Sequence, residues 1–425
     1  MKILHVVQGY PPAVGGTENL FRHISEGLVQ QYRDDVTVFT ANGYNAEAFY
    51  SPCQPLLPCG EEAINGVRVW RFRVFNWLGP VLRYVQQGAY WLRLPFNQHL
   101  RTLYGGPLLP GLKRAISDFD GDVVVASSFP LMHMYTALAA RRINRCPLIY
   151  CGGLHPQDRW GFDRPMIYDA IRRADAYIAY TTYERDFLLQ KNIPAEKLHV
   201  VGLGVDVERF VHADGTAIRQ RWGDPATPVV AFIGQQARHK GADTLVRAME
   251  QVWQRLPETR LLIAGACTRF SPVLRRQLKA LPSVQQGQIL ILDNFDELEK
   301  PSLIAACDLL AYPSEFESFG LVYVEAWACG KPVIGSRAGA IRSVVQDGTD
   351  GLLVPPRNVP ALADALIHLL EDEPLRHRLG EHGRQKVLER YTWETIVARF
   401  RQVYGQTVEQ NRSTMNTRET FGVTP

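Results

Sequence analysis

Two glutamates near the end of a short apolar run are the residues best placed to do chemistry. Glu317 and Glu325 are separated by seven residues, and the segment that starts at Gly320 is predicted to be a helix that carries Glu325. Because an α-helix has about 3.6 residues per turn, two turns bring Glu325 near the direction that Glu317 faces. Both carboxylates can therefore address one extended ligand.

The same string offers backbone donors between the two glutamates. The amides of Phe319, Gly320 and Leu321 form the N-terminus of the predicted helix, where they have no helical partner. Backbone donors and the helix dipole favour a phosphate there, so these residues and Ser318 are predicted to bind a phosphorylated donor. The alternative is that the glutamates only supply capping charge to the helix.

A basic loop follows the predicted strand 229–233. Arg238, His239 and Lys240 carry three potential cations into the start of a helix, which predicts a grip on a diphosphate. The alternative is a solvated basic loop. The loop is not a P-loop, because the chain has no Gly-x-x-x-x-Gly-Lys-Ser/Thr run.

A pair of glycines follows the first predicted strand. Gly15 and Gly16 precede a helix that Thr17 can cap, and two glycines allow backbone amides to approach a phosphate or a sugar. The pair is therefore predicted to contact the donor. The alternative is an ordinary turn between a strand and a helix.

An Asp-x-Asp string at 118–122 is typical of metal-dependent sugar transferases, whose paired carboxylates bridge a divalent cation to a diphosphate. It precedes a predicted strand and so falls at the opposite edge of the sheet from the other candidates. We interpret it as a turn and predict no metal site. The seven cysteines include no Cys-x-x-Cys pair, which favours free thiols in a reducing cytoplasm.

Short apolar strands alternate with amphipathic helices in both halves of the chain. The first half has predicted strands at 2–7, 36–41, 67–72, 123–128, 148–152 and 177–180, with helices at 17–31, 130–143 and 184–191. The second half has predicted strands at 229–233, 260–264, 289–292, 309–312, 333–335 and 351–354, with helices at 243–256, 301–307, 320–329 and 360–370. Continuous apolar strands separated by helices predict parallel sheets covered on both faces.

This pattern predicts an α/β chain of two doubly wound, Rossmann-like domains that face a central cleft. The first domain is expected at 1–200 and the second at 201–390, followed by a helix at 391–410 and a loose tail at 411–425. Hydrophobic residues make up 46% and charged residues 21%, and the net charge is +4. These values indicate a globular chain and do not suggest nucleic-acid binding. No signal peptide or transmembrane helix is predicted, so a cytoplasmic location is expected.

The string 313–326 resembles the donor site of the retaining glycosyltransferases of family 4, which have the GT-B fold and use nucleotide-sugar donors. The resemblance spans most of the chain, because it also includes the paired glycines at 15–16, the linker 202–210, Lys240-Gly241 and several segments between 338 and 355. It implies that the final helix crosses back to the first domain.

The resemblance also implies roles for individual residues. Glu317 would contact sugar hydroxyls, Glu325 the donor ribose, and Lys240 the diphosphate. Three positions depart from the family, and one of them, Ser343 where an acidic residue is common, carries no inference. Gln235 stands where an arginine is usual, and Arg238 is the candidate substitute. Gly153 stands where a histidine is usual, and either His155 takes over that catalytic role or none is needed.

We therefore expect an enzyme that transfers a hexosyl-type sugar from a nucleotide-diphosphate donor to a glycan or a lipid-linked acceptor, with retention and without a cofactor or metal. Lys240, Arg238 and the amides at 319–321 would stabilise the charge of the leaving diphosphate. A nucleotide-sugar binding protein or a hydrolysing epimerase on the same fold remains an alternative.

One charge pattern lies outside these motifs. Residues 63–117 contain no Asp or Glu, but they contain eight Lys or Arg residues interleaved with aromatic residues. This composition suits peripheral contact with an anionic membrane, at the inner face of the cell membrane. The alternatives are a subdomain core with solvated arginines, and an aromatic surface that stacks on a soluble glycan.

Overall fold

The computed structural model describes residues 1–13, 15–141, 143–222 and 226–420, without the side chains of Arg159 and 415–420. The chain divides into two compact units. The first unit consists of Met1–Gly202 and Trp393–Pro425, and the second of Leu203–Thr392. No helix in the described ranges is long and apolar enough to cross a membrane.

The first unit is built on an eight-stranded sheet. Its strands are β1 Lys2–Val7, β2 Asp35–Ala41, β3 Gly60–Ile64, β4 Val67–Phe72, β5 Val123–Ser127, β6 Leu148–Cys151, β7 Ala176–Ala179 and β8 Leu198–Val200. Its helices before the second unit are α1 Gly16–Tyr32, α2 Gly79–Trp91, α3 Asn97–Gly105, α4 Leu112–Ser117, α5 Met132–Arg141, α6 Arg159–Phe162, α7 Pro165–Arg173 and α8 Thr182–Gln190.

The strand order is β3-β4-β2-β1-β5-β6-β7-β8, and every pair is parallel except β3 with β4. The central strands β5 and β6 are buried throughout, because helices cover both faces of the sheet. Strand β3 was not predicted from the sequence, and β8 was not given bounds. The strand β3 carries the exposed Glu61 and Glu62 at the sheet edge and so lacks an apolar run, while β8 has only three residues.

The second unit contains a six-stranded parallel sheet. Its strands are β9 Val229–Ile233, β10 Arg260–Gly265, β11 Ile289–Asp293, β12 Leu309–Tyr312, β13 Val333–Ser336 and β14 Gly351–Val354. Its helices are α9 Val207–Val211, α10 Thr216–Arg219, α11 Ala242–Arg255, α12 Ser271–Lys279, α13 Ser283–Gly287, α14 Lys300–Ala305, α15 Leu321–Ala328, α16 Ile341–Val344, α17 Val359–Glu371 and α18 Glu373–Arg390.

The order in this sheet is β11-β10-β9-β12-β13-β14. The chain winds outward from β9 to β11, returns to the centre at β12, and then winds the other way to β14. Strands β9 and β12 are therefore neighbours at the point where the winding reverses. In doubly wound sheets, ligands bind at the carboxyl edge beside this point.

The last helix, α19 Trp393–Thr420, belongs to the first unit and packs on α1. The predicted loose tail is therefore wrong for residues 411–420, which are helical. Arg412 forms an ion pair with Asp122 at 2.7 Å, and the side chain of Asn411 donates to the Arg145 carbonyl at 3.3 Å. These polar contacts explain why a polar segment is ordered. Residues 421–425 lie outside the described residues.

Gly27 makes the contact between α1 and α19 close, since a Cβ there would lie 2.7 Å from Val397 Cγ2. We expect Gly27→Ala to lower the free energy of unfolding by about 1–3 kcal/mol through overpacking. The matched control is Gly405→Ala on α19, where a Cβ meets nothing within 4 Å. Helix propensity predicts a gain of up to about 1 kcal/mol for that variant. Urea unfolding measures both, and a stabilised Gly27→Ala would contradict the packing.

Candidate functional site

The loops that leave β9 and β12 are joined at the reversal point of the second unit. The Glu315 amide donates to the His239 carbonyl at 2.8 Å, and the Ser314 hydroxyl donates to the same oxygen at 3.2 Å. The rings of His239 and Phe316 stack with centroids 4.6 Å apart. Burial lowers the pKa of His239, and the positive charge of Lys240 lowers it further. This ring is therefore neutral near pH 7 and is not one of the loop's cations.

Two glycines make the approach of these loops possible. Gly241 has φ 83°, and a Cβ there would lie 2.4 Å from the Pro313 carbonyl oxygen. Gly320 has φ 96°, and a Cβ there would lie 2.7 Å from the Tyr323 ring. Both positions need a left-handed backbone and have no room for a side chain, so only glycine fits.

The predicted pair of functional side chains, Lys240 and Glu317, is brought into direct contact. Lys240 Nζ lies 2.6 Å from Glu317 Oε1, and the two side chains are only 17% and 12% exposed. The ammonium also lies 5.7 Å from the centroid of the Tyr312 ring. The contacts with Glu317 and Tyr312 fix the position of the ammonium. Because an ammonium has three donors, donors remain for a ligand.

Glu325 lies on α15, as predicted, and pairs with Lys300 at the start of α14. The Nζ to Oε1 distance is 2.8 Å, while Glu325 Oε2 is buried and accepts no hydrogen bond from the described residues. Burial lowers the pKa of Lys300, but Glu325 and Glu297 outweigh burial and raise it overall. Lys300 was not predicted from the sequence as a site residue. Its signal was that it is the single cation in the acidic run 293–300.

Gln236, also missed from sequence, ties three loops of the second unit together. Its fully buried side-chain amide donates to Asp293 Oδ1 at 2.6 Å. Its backbone N–H donates to the Ala266 carbonyl at 2.9 Å, and its backbone carbonyl accepts from the Thr268 hydroxyl at 2.6 Å. Burial raises the pKa of Asp293, but the hydrogen bond from Gln236 and the charge of Arg275 bring it below its usual value. Asp293 is therefore held as a carboxylate.

A cavity of about 330 Å³ opens above these loops at the carboxyl edge of the sheet. This volume falls within the usual range for small-molecule sites. Its lining includes predicted and missed residues: Gly234, Gln235, Ala266, Asn294, Lys300, Tyr312, Glu317, Gly320 and Leu321. The second unit therefore brings together Gln235, Glu317, Gly320 and Leu321 around one cavity.

The N-terminus of α15 faces this cavity through Gly320 and Leu321. Gly320 is the N-cap and has no side-chain cap. Within the described part of the chain, the amides of Phe319, Gly320 and Leu321 donate no hydrogen bond. Phe319 itself is buried against the Tyr391 ring, with centroids 5.5 Å apart. The backbone is thus fixed while its donors stay available.

Two predicted donor residues are less constrained. Ser318 is half-buried and Arg238 is exposed in a short 3-10 turn before Lys240.

A larger groove of about 750 Å³ lies elsewhere in the second unit. Its lining includes Arg337 and Lys386, which are paired with Asp347 and Asp350, and also Arg342 and Arg390.

In the first unit, the paired glycines lie at the equivalent reversal point, in the loop that leaves β1. Gly15 is the N-cap of α1 and Gly16 its first residue, so the prediction that Thr17 caps this helix is wrong. A Cβ on Gly15 would lie 2.2 Å from Glu18 Oε2, whereas one on Gly16 would meet nothing within 4 Å. Glu18 is buried, and its Oε2 has no partner among the described residues.

His155 lies in the loop after β6, and its ring is 5.1 Å from that of Phe162. A buried glutamate missed from sequence holds this loop. Glu184 Oε1 accepts from the amides of Gly153 and Leu154 at 3.1 and 3.0 Å and from the Tyr177 hydroxyl at 2.6 Å. Burial raises the pKa of Glu184, against the effect of these hydrogen bonds.

The Asp-x-Asp string precedes β5, at the amino edge of its sheet, as predicted. Asp122 accepts from the Lys2 amide at 2.8 Å and pairs with Arg412. Over the described ranges, no group of three or more His, Cys, Asp or Glu side chains has the arrangement of a metal site. The seven cysteines are free thiols.

The Lys300–Glu325 pair generates a stability prediction. Lys300→Met leaves the Glu325 carboxylate buried without its partner and should lower the free energy of unfolding by about 3 kcal/mol. The double variant Lys300→Met with Glu325→Leu removes both charges and should be more stable than Lys300→Met alone. Urea unfolding of the full cycle tests this, and additive losses would show that the two side chains do not interact.

Two family models match the chain. Residues 15–204 match "Glycosyl transferase 4-like domain", and residues 215–386 match "Glycosyl transferases group 1". Together they include the paired glycines, the loop with His155 and the whole candidate site of the second unit.

Curated relatives carry related names. The chain is 34% identical to a D-inositol 3-phosphate glycosyltransferase of Xylanimonas cellulosilytica, over 56% of this chain and 59% of the relative. It is also 34% identical to a GDP-mannose-dependent monoacylated alpha-(1-6)-phosphatidylinositol monomannoside mannosyltransferase of Corynebacterium glutamicum, over 54% and 63%. The matches thus span about three fifths of these relatives.

Solved structures share the fold over nearly the whole chain. The Anabaena protein HepE in complex with UDP and glucose is 22% identical, with a TM-score of 0.67 over 96% of this chain and 100% of that one. Sucrose-phosphate synthase from Thermosynechococcus elongatus is 20% identical, with a TM-score of 0.68 over 96% and 99%. The predicted pair of Rossmann-like, doubly wound domains is confirmed. The chain belongs to the glycosyltransferases of family 4, which have the GT-B fold.

Proposed function

We propose that the chain transfers a hexosyl-type sugar from a nucleotide-diphosphate donor to a glycan or lipid-linked acceptor, with retention of configuration and without a metal ion. The observation that carries the proposal is the cavity at the reversal point of the second unit. Lys300, Glu317 and the N-terminus of α15 line it, and the ion-pair partners Glu325 and Lys240 lie beside it.

The diphosphate has two sets of donors in this proposal. Lys240 Nζ gives one hydrogen bond to Glu317 and keeps two for phosphate oxygens. The available amides of Phe319, Gly320 and Leu321 add backbone donors and the positive end of the helix dipole. These groups are in place before charge develops on the leaving diphosphate, which is how such sites lower a barrier. Arg238, exposed beside Lys240, would add a mobile cation.

Glu325 offers a contact to the donor ribose. Its Oε1 is used by Lys300, whereas its buried Oε2 lacks a donor from the described residues. An unpaired buried carboxylate oxygen costs free energy, and a ribose hydroxyl that donates to it would remove that cost. Glu317, which lines the cavity, would hold the sugar hydroxyls.

The remaining roles rest on the family. Retention is proposed because the chain belongs to family 4, and it is checked by the anomeric configuration of the product in NMR spectra. His155 is assigned the role of the family's histidine on the first unit. The loop anchored by Glu184 gives His155 a defined position. The names of the relatives suggest inositol phosphate and phosphatidylinositol mannosides as the first acceptors to assay.

Donor identity is tested by thermal shift with UDP-, GDP- and ADP-sugars. A donor at one hundred times its dissociation constant should raise the stability by about 2.7 kcal/mol. The nucleotide sugar that binds is then incubated with each acceptor. Transfer to an acceptor supports the proposal, whereas binding without transfer, or epimerised sugar as the product, would contradict it.

The two carboxylates should have separable effects. Glu325→Ala removes a contact to the nucleotide and should weaken nucleoside-diphosphate binding about tenfold or more, the cost of a lost hydrogen bond to a charged group. Glu317→Ala should chiefly lower turnover of the sugar donor. Calorimetry and steady-state kinetics separate these effects, with exposed Glu258→Ala as the control. Unchanged binding and turnover in both variants would show that Glu317 and Glu325 are not part of the donor site.

Metal independence predicts that activity survives an excess of chelator. The cations and amides of the second unit supply the positive charge that a divalent ion would otherwise bring to the diphosphate. Initial rates with and without EDTA measure this. Loss of activity that Mn²⁺ restores would show that the metal-free mechanism is wrong.

A further inference from the structure

The helix α2 of the first unit has its large apolar side chains on the outside. Its buried residues are only Gly79, Gln86 and Ala89. The exposed large residues in and beside it include Trp77 (72%), Val81 (61%), Tyr84 (72%), Trp91 (81%) and Leu92 (72%). Isolated exposed apolar residues are common, but a run of this size marks an interaction surface.

The charges within residues 63–117 have one sign. No Asp or Glu occurs in 63–117, and the exposed Arg83 and Arg93 lie on α2 and just after it. Basic side chains beside exposed tryptophans and leucines are the composition of segments that lie in the interface of an anionic bilayer. We call residues 77–93 the α2 face.

A cluster of two arginines adjoins the α2 face. Trp160 contacts the Tyr90 ring of α2 at 6.1 Å between centroids, and Arg101 lies over the Trp160 ring at 4.5 Å. Arg164 is buried and donates to the Trp160 carbonyl at 3.3 Å and to the Thr102 hydroxyl at 3.2 Å. Burial and then Arg101 lower the pKa of Arg164 to about 10, so it still carries its charge near pH 7.

The two arginines of the cluster share one nearby carboxylate, Asp158, whose charge acts to raise the pKa of both. Among the described residues, neither Arg101 nor Arg164 forms an ion pair with a carboxylate, and Arg101 Nε is buried without a partner. A buried guanidinium nitrogen without an acceptor is costly, and an oxyanion that accepts from Arg101 Nε would relieve that cost.

We propose that the α2 face and the cluster of Arg101, Arg164 and Trp160 dock on the surface of an anionic phospholipid bilayer, with lipid phosphates beside the arginines. The exposed tryptophans and aliphatic side chains enter the interface, while Arg83 and Arg93 remain at the headgroups. A bilayer fits better than an acidic protein because the apolar area is spread along one helix and its flanks. This inference does not rest on glycosyl transfer.

Flotation of the full chain tests the proposal, with phosphatidylcholine vesicles that contain or lack phosphatidylglycerol. We expect the chain to float only with the anionic vesicles and to be released as salt rises. Arg83→Glu with Arg93→Glu should weaken partitioning by at least about thirtyfold, since each cation near the surface is worth about fivefold. Trp91→Ser with Leu92→Ser should also reduce flotation at constant charge.

Matched controls lie on the second unit. Val284→Ser with Leu298→Ser removes apolar residues that are 75% and 76% exposed, and Arg276→Glu with Arg378→Glu makes the same charge change at exposed sites. Both controls should float like the parent chain, and all variants should keep the parent's melting temperature and nucleotide binding.

Three results would overturn the proposal. The first is no flotation at low salt, and the second is equal flotation on neutral vesicles or by the α2-face variants. The third is a parent chain that sediments as a dimer and does not float, with Trp91→Ser and Leu92→Ser restoring a monomer, because a second copy would then be the occupant. Each result leaves the nucleotide-binding measurements unaffected, so the two proposals fail separately.

Discussion

The ion pair between Lys240 and Glu317 is the interaction on which the candidate site depends. It spans the loops that leave β9 and β12, the two neighbouring strands at which the winding of the second sheet reverses. Both charges are largely shielded from water, so each is held in place by the other and by the loop contacts beneath them. Such a pair adds little net stability, but it fixes the direction in which the ammonium presents its remaining donors.

Backbone geometry makes that pair possible. The loops approach closely because Gly241 and Gly320 adopt left-handed conformations in places where a side chain would overlap its neighbours. Below them, Gln236 joins the loops of β9, β10 and β11 through one buried amide and its backbone. The cavity is therefore positioned by rigid strands, and its donors need little reorganisation to meet a phosphorylated ligand.

Sequence patterns predicted the strands and helices that are determined by residues close together in the chain. The bounds of β1, β4, β9, β12 and β14 agree with prediction because each is an apolar run between turn residues. The strand β3 was missed because it lacks an apolar run, although its partner β4 follows directly after it, and the helical residues 411–420 were missed because Asn411 and Arg412 contact residues far along the chain. The placement of Glu317 before a helix and Glu325 within it was also predictable, since it follows from spacing alone.

The partners of these residues were not predictable in the same way. Lys300 and Glu325 are 25 positions apart, and Glu184 is about 30 positions from the amides that it holds. No pattern in neighbouring residues links such pairs. Only the side-by-side pairing of parallel strands brings together the segments that carry them. The charge pattern of 63–117 was visible in the sequence, whereas the outward direction of its tryptophans required the helix α2 and its small buried residues.

The central claim is that Lys240 and the N-terminus of α15 bind the diphosphate of a nucleotide donor. Calorimetric titration of the chain and of Lys240→Met with nucleoside diphosphates and the corresponding monophosphates tests it most directly. The account predicts that the parent chain prefers the diphosphate by roughly tenfold or more and that Lys240→Met loses most of this preference, because one charge-assisted contact to the second phosphate is gone. An equal preference in both proteins would contradict the account.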